Sequence, residues 1–185
     1  MTRKAIDVGC GTQTFLKEFL HNYLPAWDNQ QLEITRMDGD PNTKPDIVHN
    51  LLTPIPKKYK GKFDFAYMAH VLEHIPWRDT VSVAKEVVGL VKPGGYCLIN
   101  VPSLEWACKE VIRGRFHIGV LMTIYGGQDD EWLFHKSGFT KAVLELLARR
   151  IKMSVVSLRE TNAITVANNA KFSTAQLELF MRKET

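Results

Sequence analysis

The chain has little of what marks specialised protein classes. Its 185 residues include only 3 cysteines, Cys10, Cys97 and Cys108, an odd number with no paired spacing. That pattern excludes a disulfide framework and a cysteine zinc site as organising devices. No apolar run approaches the roughly 20 residues of a membrane-spanning helix. Neither sign of charge dominates: 24 Lys and Arg against 20 Asp and Glu leave a net +4, with both signs interspersed. A basic tail or a lysine-arginine block, the footprint of a dedicated nucleic-acid binder, is therefore missing. Repeats and low-complexity segments are also missing. Thr2-Arg3-Lys4 leads straight into an apolar strand, so a secretory leader is not expected and a reducing, cytoplasmic setting is. The length suits one domain spanning 1–185 with a proper core.

What is present is an alternation of short apolar runs with helical patterns, which predicts parallel strands joined by helices. Strands are expected at Lys4–Val8, Leu32–Met37, Asp46–His49, Phe63–Met68 and Tyr96–Val101. Helices are expected at Thr14–Tyr23, at Asp79–Val91 before the breaker Lys92-Pro93-Gly94-Gly95, and at Lys141–Arg150 behind the N-cap Thr140. Two further strands, Met153–Leu158 and Ala163–Ala167, lie close enough for a hairpin, so that pair must be antiparallel. The lysines of Lys57-Lys58-Tyr59-Lys60 read as a solvated turn.

The densest signal is Ala5-Ile6-Asp7-Val8-Gly9-Cys10-Gly11-Thr12-Gln13. A strand ends in an acid, and two glycines then let the backbone bend and approach a ligand closely. A carboxylate facing such a turn repels phosphate and attracts an ammonium group. The dinucleotide fingerprint needs a third glycine where this chain has Thr14, so that reading fails on spacing. The segment Asp7-x-Gly9-x-Gly11 instead resembles the first motif of the class I S-adenosylmethionine-dependent methyltransferases, with Gln13 where the family often has a glycine.

That resemblance implies an α/β fold: a Rossmann-like three-layer sandwich around a seven-stranded sheet, ordered 3-2-1-4-5-7-6, with the seventh strand antiparallel. It also implies a cofactor site. Asp7 would meet the ammonium end of S-adenosylmethionine, and the turn Gly9, Cys10, Gly11, Thr12 and Gln13 its methionine portion. Asp38, followed by Gly39, ends the second strand, where an acid can chelate ribose hydroxyls. Asp40, before Pro41, reads as a turn or cap carboxylate. Asn50 offers a carbonyl to the adenine amine and Leu51 an apolar cover for the ring.

After the fourth strand, Ala69-His70-Val71-Leu72-Glu73-His74-Ile75-Pro76 resembles the corresponding segment of small-molecule methyltransferases. Ala69 and His70 would lie beside the cofactor. His70 is the candidate catalytic residue, as general base, or else lines the pocket. Glu73 and His74 would floor the acceptor pocket. Taken alone, His70-x-x-Glu73-His74 also spells an inverted zinc-peptidase motif, but Pro76 stops the helix that motif needs, so no metal is expected. The least regular stretch follows the fifth strand. There Trp106, Tyr125 and His135 are candidates to face the acceptor. The segment 117–139 combines an apolar run with glycine pairs and reads as a cover over the acceptor, or as a contact with a second copy in a homodimer.

The resemblance thus implies an S-adenosylmethionine-dependent methyltransferase acting on a small or medium-sized acceptor: a sugar, lipid headgroup or metabolite. The family's Asn-Pro-Pro-Tyr signature of nucleic-acid amino-methylation is replaced here by Ala69-His70-Val71-Leu72, which argues against nucleic acid. A nucleoside-binding module that keeps the cofactor site but is catalytically silent is the alternative. It should have a blocked or shallow space where an enzyme has a cleft.

Overall fold

The computed structural model describes residues 2–167 and 170–185. The strands are β1 (Thr2–Val8), β2 (Gln31–Asp38), β3 (Ile47–Val48), β4 (Phe63–Ala69), β5 (Val91–Pro102), β6 (Ser154–Ala167) and β7 (Ala170–Arg182). The helices are α1 (Leu16–Tyr23), α2 (Thr80–Leu90), α3 (Leu104–Ile112), α4 (Ile118–Tyr125) and α5 (Lys141–Arg150). The strands form one seven-stranded sheet in the order β3-β2-β1-β4-β5-β7-β6. β1 pairs in parallel with both β2 and β4, and β7 runs antiparallel between β5 and β6. The chain winds outward from β1 to β3, then crosses back to β4. The reversal opens a crevice beyond the carboxyl ends of β1 and β4, where open α/β sheets bind ligands.

Period-2 alternation decides which layer each side chain joins. In β1, Ile6 and Val8 face the layer of α2 and α5, and Ala5 faces α1. In β4, Phe63, Ala66 and Met68 go the first way, Phe65 and Tyr67 the second. α2 buries Val83, Ala84, Val87 and Val88, and α5 buries Leu144, Leu147 and Ala148, at helical spacing. The opposite face is covered by Leu16 and Leu20 of the shorter α1, with Tyr23, Trp27 and Tyr96 completing it. No helix among the described residues is long and apolar enough to cross a membrane.

α5 starts as its sequence predicts: the Thr140 side chain accepts from Val143 N at 3.2 Å. Thr140→Ala is expected to cost about 1 kcal/mol, measured by denaturant unfolding, with no effect on ligand affinity.

Three expectations need correction. Met153–Leu158 and Ala163–Ala167 are not two strands of a hairpin. Met153 apart, both lie in the one strand β6, and the seventh strand is β7, whose residues Thr174–Met181 are all buried. Ala175-Gln176-Leu177-Glu178-Leu179 has the composition of a helix former, and strand pairing on both sides overrides that propensity. Second, Lys92-Pro93-Gly94-Gly95 does end α2 but belongs to β5, with Gly94 N donating to Lys183 O at 3.0 Å. Third, the stretch after β5 is not irregular. Ser103 caps α3 by accepting from Trp106 N, and His117 caps α4 by accepting from Gly119 N. Both helices rest on β7, and α4 also on β6.

Candidate functional site

The glycine turn lies at the crevice. Gly9 has φ +72, and a Cβ there would come within 2.2 Å of Val71 Cγ2, so only glycine fits. Gly9 N and Cys10 N donate to Met37 O at 2.8 and 3.2 Å, extending the β1–β2 ladder into the turn. Gly11 N donates to Asp38 Oδ2 at 2.8 Å, and Asp40 N to Asp38 Oδ1 at 2.9 Å. Arg36, which drew no attention in the sequence, braces the turn from below: its Nη2 donates to Gly11 O at 2.6 Å and to Thr43 O at 3.3 Å. Asp40 caps the one-turn segment Pro41–Thr43 by accepting from Asn42 N, as its place before a proline predicts.

Asp7 is only 3 % exposed. Burial raises its carboxyl to about 6, against the lowering influence of Thr14 and Arg36 and with a raising one from Asp38. A carboxylate held at that cost calls for a cationic partner.

Two chambers meet over the turn. The larger, about 770 Å³, is lined by Asp7, Cys10, Gln13, Tyr67 and Ala69 on the β1–β4 side. The smaller, about 410 Å³, is lined by Asp38, Gly39, Asn50 and Leu51. Gly9, Gly11, His70, His74 and Leu133 line both. Thr12 is exposed and forms part of neither lining. Asn50 turns its side-chain carbonyl onto its own loop, accepting from Leu52 N at 3.0 Å. One lone pair of that oxygen is left for a ligand donor.

His70 has φ +53 and its N–H donates to Asn100 O at 2.9 Å. Its Nε2 faces Gln176 Oε1 at 3.0 Å, while Gln176 Nε2 donates to Glu178 Oε1 at 2.8 Å. A carboxylate only accepts, so the amide must face His70 with its oxygen, and His70 Nε2 must carry a proton. His70 Nδ1 lies 3.3 Å from Glu73 Oε1, an ion-pair contact. Burial alone would lower the imidazole, but Glu73 and then Gln176 outweigh it and hold His70 above its ordinary value. With Nε2 bonded to Gln176 and Nδ1 facing a carboxylate, both nitrogens favour a proton over the lone pair a general base needs. Its geometry is that of a positioning residue. Gln176 lies 106 residues away on the strand the sequence did not reveal.

The structure brings Glu73, His74 and His135 together in the lining of the larger chamber. Lys136 N and Ser137 N donate to Glu73 O at 2.7 and 3.0 Å, and Ser137 Oγ to Ile75 O at 2.6 Å, tying the 134–139 segment to the turn that follows β4. Gly126, at φ +80, is a further position that needs glycine: a Cβ would lie 1.9 Å from Leu133 O. Burial would raise the Glu73 carboxyl, but His70 and then His74 hold it below its ordinary range. Burial pushes the His135 imidazole down.

Trp106 and Tyr125 are not part of the chamber. Trp106 packs edge-on against His117 between α3 and α4, and Tyr125 is 53 % exposed. Met122 and Thr123 of α4 line the chamber, whereas Tyr125, the last residue of that helix, lies at its exposed end. Thr174, Ala175 and Gln176 of β7 line it instead. No sequence signal marked them.

A family described as a methyltransferase domain matches residues 2–144. No curated protein matches the chain. Among solved structures, an S-adenosylmethionine-dependent methyltransferase of Methanosarcina mazei is 18% identical with a TM-score of 0.69, the match covering 99% of this chain and 93% of that one. The 1,6-didemethyltoxoflavin-N1-methyltransferase of Burkholderia thailandensis, bound to 1,6-didemethyltoxoflavin and S-adenosylhomocysteine, is 15% identical with a TM-score of 0.59, covering 100% and 72%. An O-methyltransferase family protein of the same organism is 17% identical with a TM-score of 0.62, covering 99% and 51%. At these identities the likeness is one of fold.

Proposed function

Because the chain belongs to the methyltransferase-domain family, we propose that it is an S-adenosylmethionine-dependent methyltransferase acting on a small or medium-sized acceptor. The observation that carries this reading is the buried carboxylate of Asp7, at a glycine turn, facing a chamber that opens into a second one lined by Asp38. The donors fit the cofactor. Asp7 would hold its ammonium end, the backbone of Gly9–Gln13 its methionine portion, and Asp38 with Gly39 the ribose. Leu51 would cover the adenine, with the remaining lone pair of Asn50 for its amine. S-adenosylmethionine supplies an electrophilic methyl group when bound. The protein's own work is alignment and exclusion of water.

An open cleft beside the turn favours an enzyme over a silent nucleoside-binding module, which would need no such space. Its size, about 770 Å³, lies in the range of small-molecule sites. The Burkholderia relative with a bound heterocycle is consistent with a compact acceptor. In this reading α4 and the loop behind it, within 117–139, cover the acceptor. Screening for S-adenosylhomocysteine release across sugars, lipid headgroups and metabolites tests it. Calorimetric binding without turnover on any acceptor class would leave the silent module standing. Binding to bulk RNA that weakens steeply with salt would overturn the acceptor class.

A pH dependence follows from Asp7. The cofactor's ammonium favours the ionised carboxylate, so a proton on Asp7 competes with the ligand. S-adenosylhomocysteine affinity should be constant above pH 7 and fall as pH drops through about 6, by up to about tenfold per pH unit below that. Calorimetry across this range checks the slope; an affinity flat down to pH 5 would remove Asp7 from the contact.

A further inference from the structure

We propose that Glu73, His74 and His135 form a divalent metal site in the wall of the larger chamber, selective for a first-row transition ion such as Zn²⁺ over Mg²⁺ or Ca²⁺. One ligand-type atom from each of the three lies within 4.8 Å of the others. Zinc bonds of about 2.0–2.2 Å space tetrahedral ligands roughly 3.4 Å apart, so small side-chain rotations close the site.

The two imidazoles are set up as ligands. His74 Nδ1 faces Phe134 O at 3.1 Å, and His135 Nδ1 faces Thr123 O at 3.1 Å. A carbonyl only accepts, so each Nδ1 carries the proton and each Nε2 presents its lone pair. That is the tautomer and the outer hydrogen bond that metal-bound histidines use. The rings lie 4.9 Å apart, edge to face.

The second observation is Glu73. The residue is 1 % exposed; its Oε1 meets only the ion-pair contact of His70, which lacks good hydrogen-bond geometry, and its Oε2 has no partner among the described residues. A buried carboxylate in that condition lacks a partner. His70 Nδ1, at 3.3 Å from Oε1, supplies charge from one side only. A metal ion between Glu73 and the two Nε2 atoms would supply the rest.

The scaffold is rigid where such a site needs it. Glu73 and His74 lie in the one-turn segment Leu72–His74, not on the long helix of a zinc peptidase. The third ligand arrives from 61 residues away and is held there by the hydrogen bonds of Lys136 and Ser137 to the same turn. Two nitrogens and one carboxylate oxygen favour a transition ion, since Mg²⁺ and Ca²⁺ prefer all-oxygen shells. Three protein ligands leave a coordination position at the chamber. If the methyltransferase reading holds, an acceptor hydroxyl would take that position and release its proton to solvent. The acceptor class would then be an oxygen nucleophile, with no general base required of His70.

The test uses tag-free, chelator-treated protein, titrated with Zn²⁺ by calorimetry and with Co²⁺ by visible absorption. The expected result is one ion per chain and intense visible Co²⁺ bands of a four-coordinate site. His74→Ala and His135→Ala should each weaken binding by on the order of a hundredfold or more, above the loss typical of an outer partner. The surface control His21→Ala should leave binding unchanged. Absence of uptake, binding that survives both chamber variants, or wild-type Co²⁺ protein without those bands would each overturn the site. The wild-type bands keep the proposal falsifiable if a variant fails to fold. S-adenosylhomocysteine calorimetry on the same sample separates the two readings: cofactor binding without metal uptake sinks the metal site alone, and metal uptake without cofactor binding sinks the methyltransferase reading alone.

Discussion

Replacing Asp7 with asparagine is expected to weaken S-adenosylhomocysteine binding strongly and, at the same time, to make the unliganded protein more stable. Burial raises this carboxyl from 3.8 to about 6 in the fold, a shift worth about 3 kcal/mol between its protonation states. The sign follows from linkage. A carboxyl whose folded value lies above its unfolded one binds its proton more tightly in the fold. Its favourable contribution is present at low pH and is lost as pH rises through about 6. Above pH 7 the ionised group is therefore a burden that asparagine does not carry. A gain of roughly 2–3 kcal/mol would appear as about 5–10 °C in melting temperature for a chain of this size. The affinity for S-adenosylhomocysteine should fall about a hundredfold or more, because a buried carboxylate–ammonium contact loses its charge. Thermal melting and calorimetry on one preparation read both signs. A lower melting temperature in the variant would show that Asp7 is a structural acid, and undiminished binding would remove it from the site. Opposite movement of stability and function is the usual mark of a group kept for its ligand.

Asp38→Ala should move both quantities downward. Its two oxygens accept from Gly11 N and Asp40 N, and hydrogen bonds to a charged acceptor contribute about 1.5–3 kcal/mol each. The variant should lose about 2–4 kcal/mol of stability, because water can replace part of what the carboxylate provides at this partly buried position. Affinity should fall about a hundredfold, from the lost ribose contact and from a loosened glycine turn together. Measuring affinity well below the variant's melting temperature separates the two causes. Wild-type affinity in the folded variant would leave Asp38 as a turn cap only.

The contrast between these acids was only partly legible in the chain. Their positions at the ends of β1 and β2 followed from apolar runs broken by Gly9 and Gly39. Their opposite effects on stability did not, because they depend on surroundings. Asp7 lies beneath the turn with few donors, whereas Asp38 receives two backbone N–H groups. The same holds for His70. Its place at the tip of β4 was readable, but its protonation state hangs on the orientation of Gln176, which Glu178 fixes from two residues along the same face of β7. Trp106 and Tyr125 were chosen by residue type, and the packing of α3 and α4 left both outside the chamber lining.

By itself the sequence determined what neighbouring residues can settle: the strand, glycine turn and helix around Asp7, the first five strands and their order in the chain, the Thr140 cap, and the failure of the zinc-helix motif at Pro76. Each rests on local periodicity, a fixed dihedral, or a hydrogen bond spanning a few residues. The tertiary structure alone decided the rest. It made β7 a strand against its own helical composition, because its backbone groups find partners on both β5 and β6. It also carried His135 to within reach of Glu73 and His74 through backbone bonds from Lys136 and Ser137. Contacts between residues tens of positions apart depend on how layers pack and loops close, and local pattern carries no record of that.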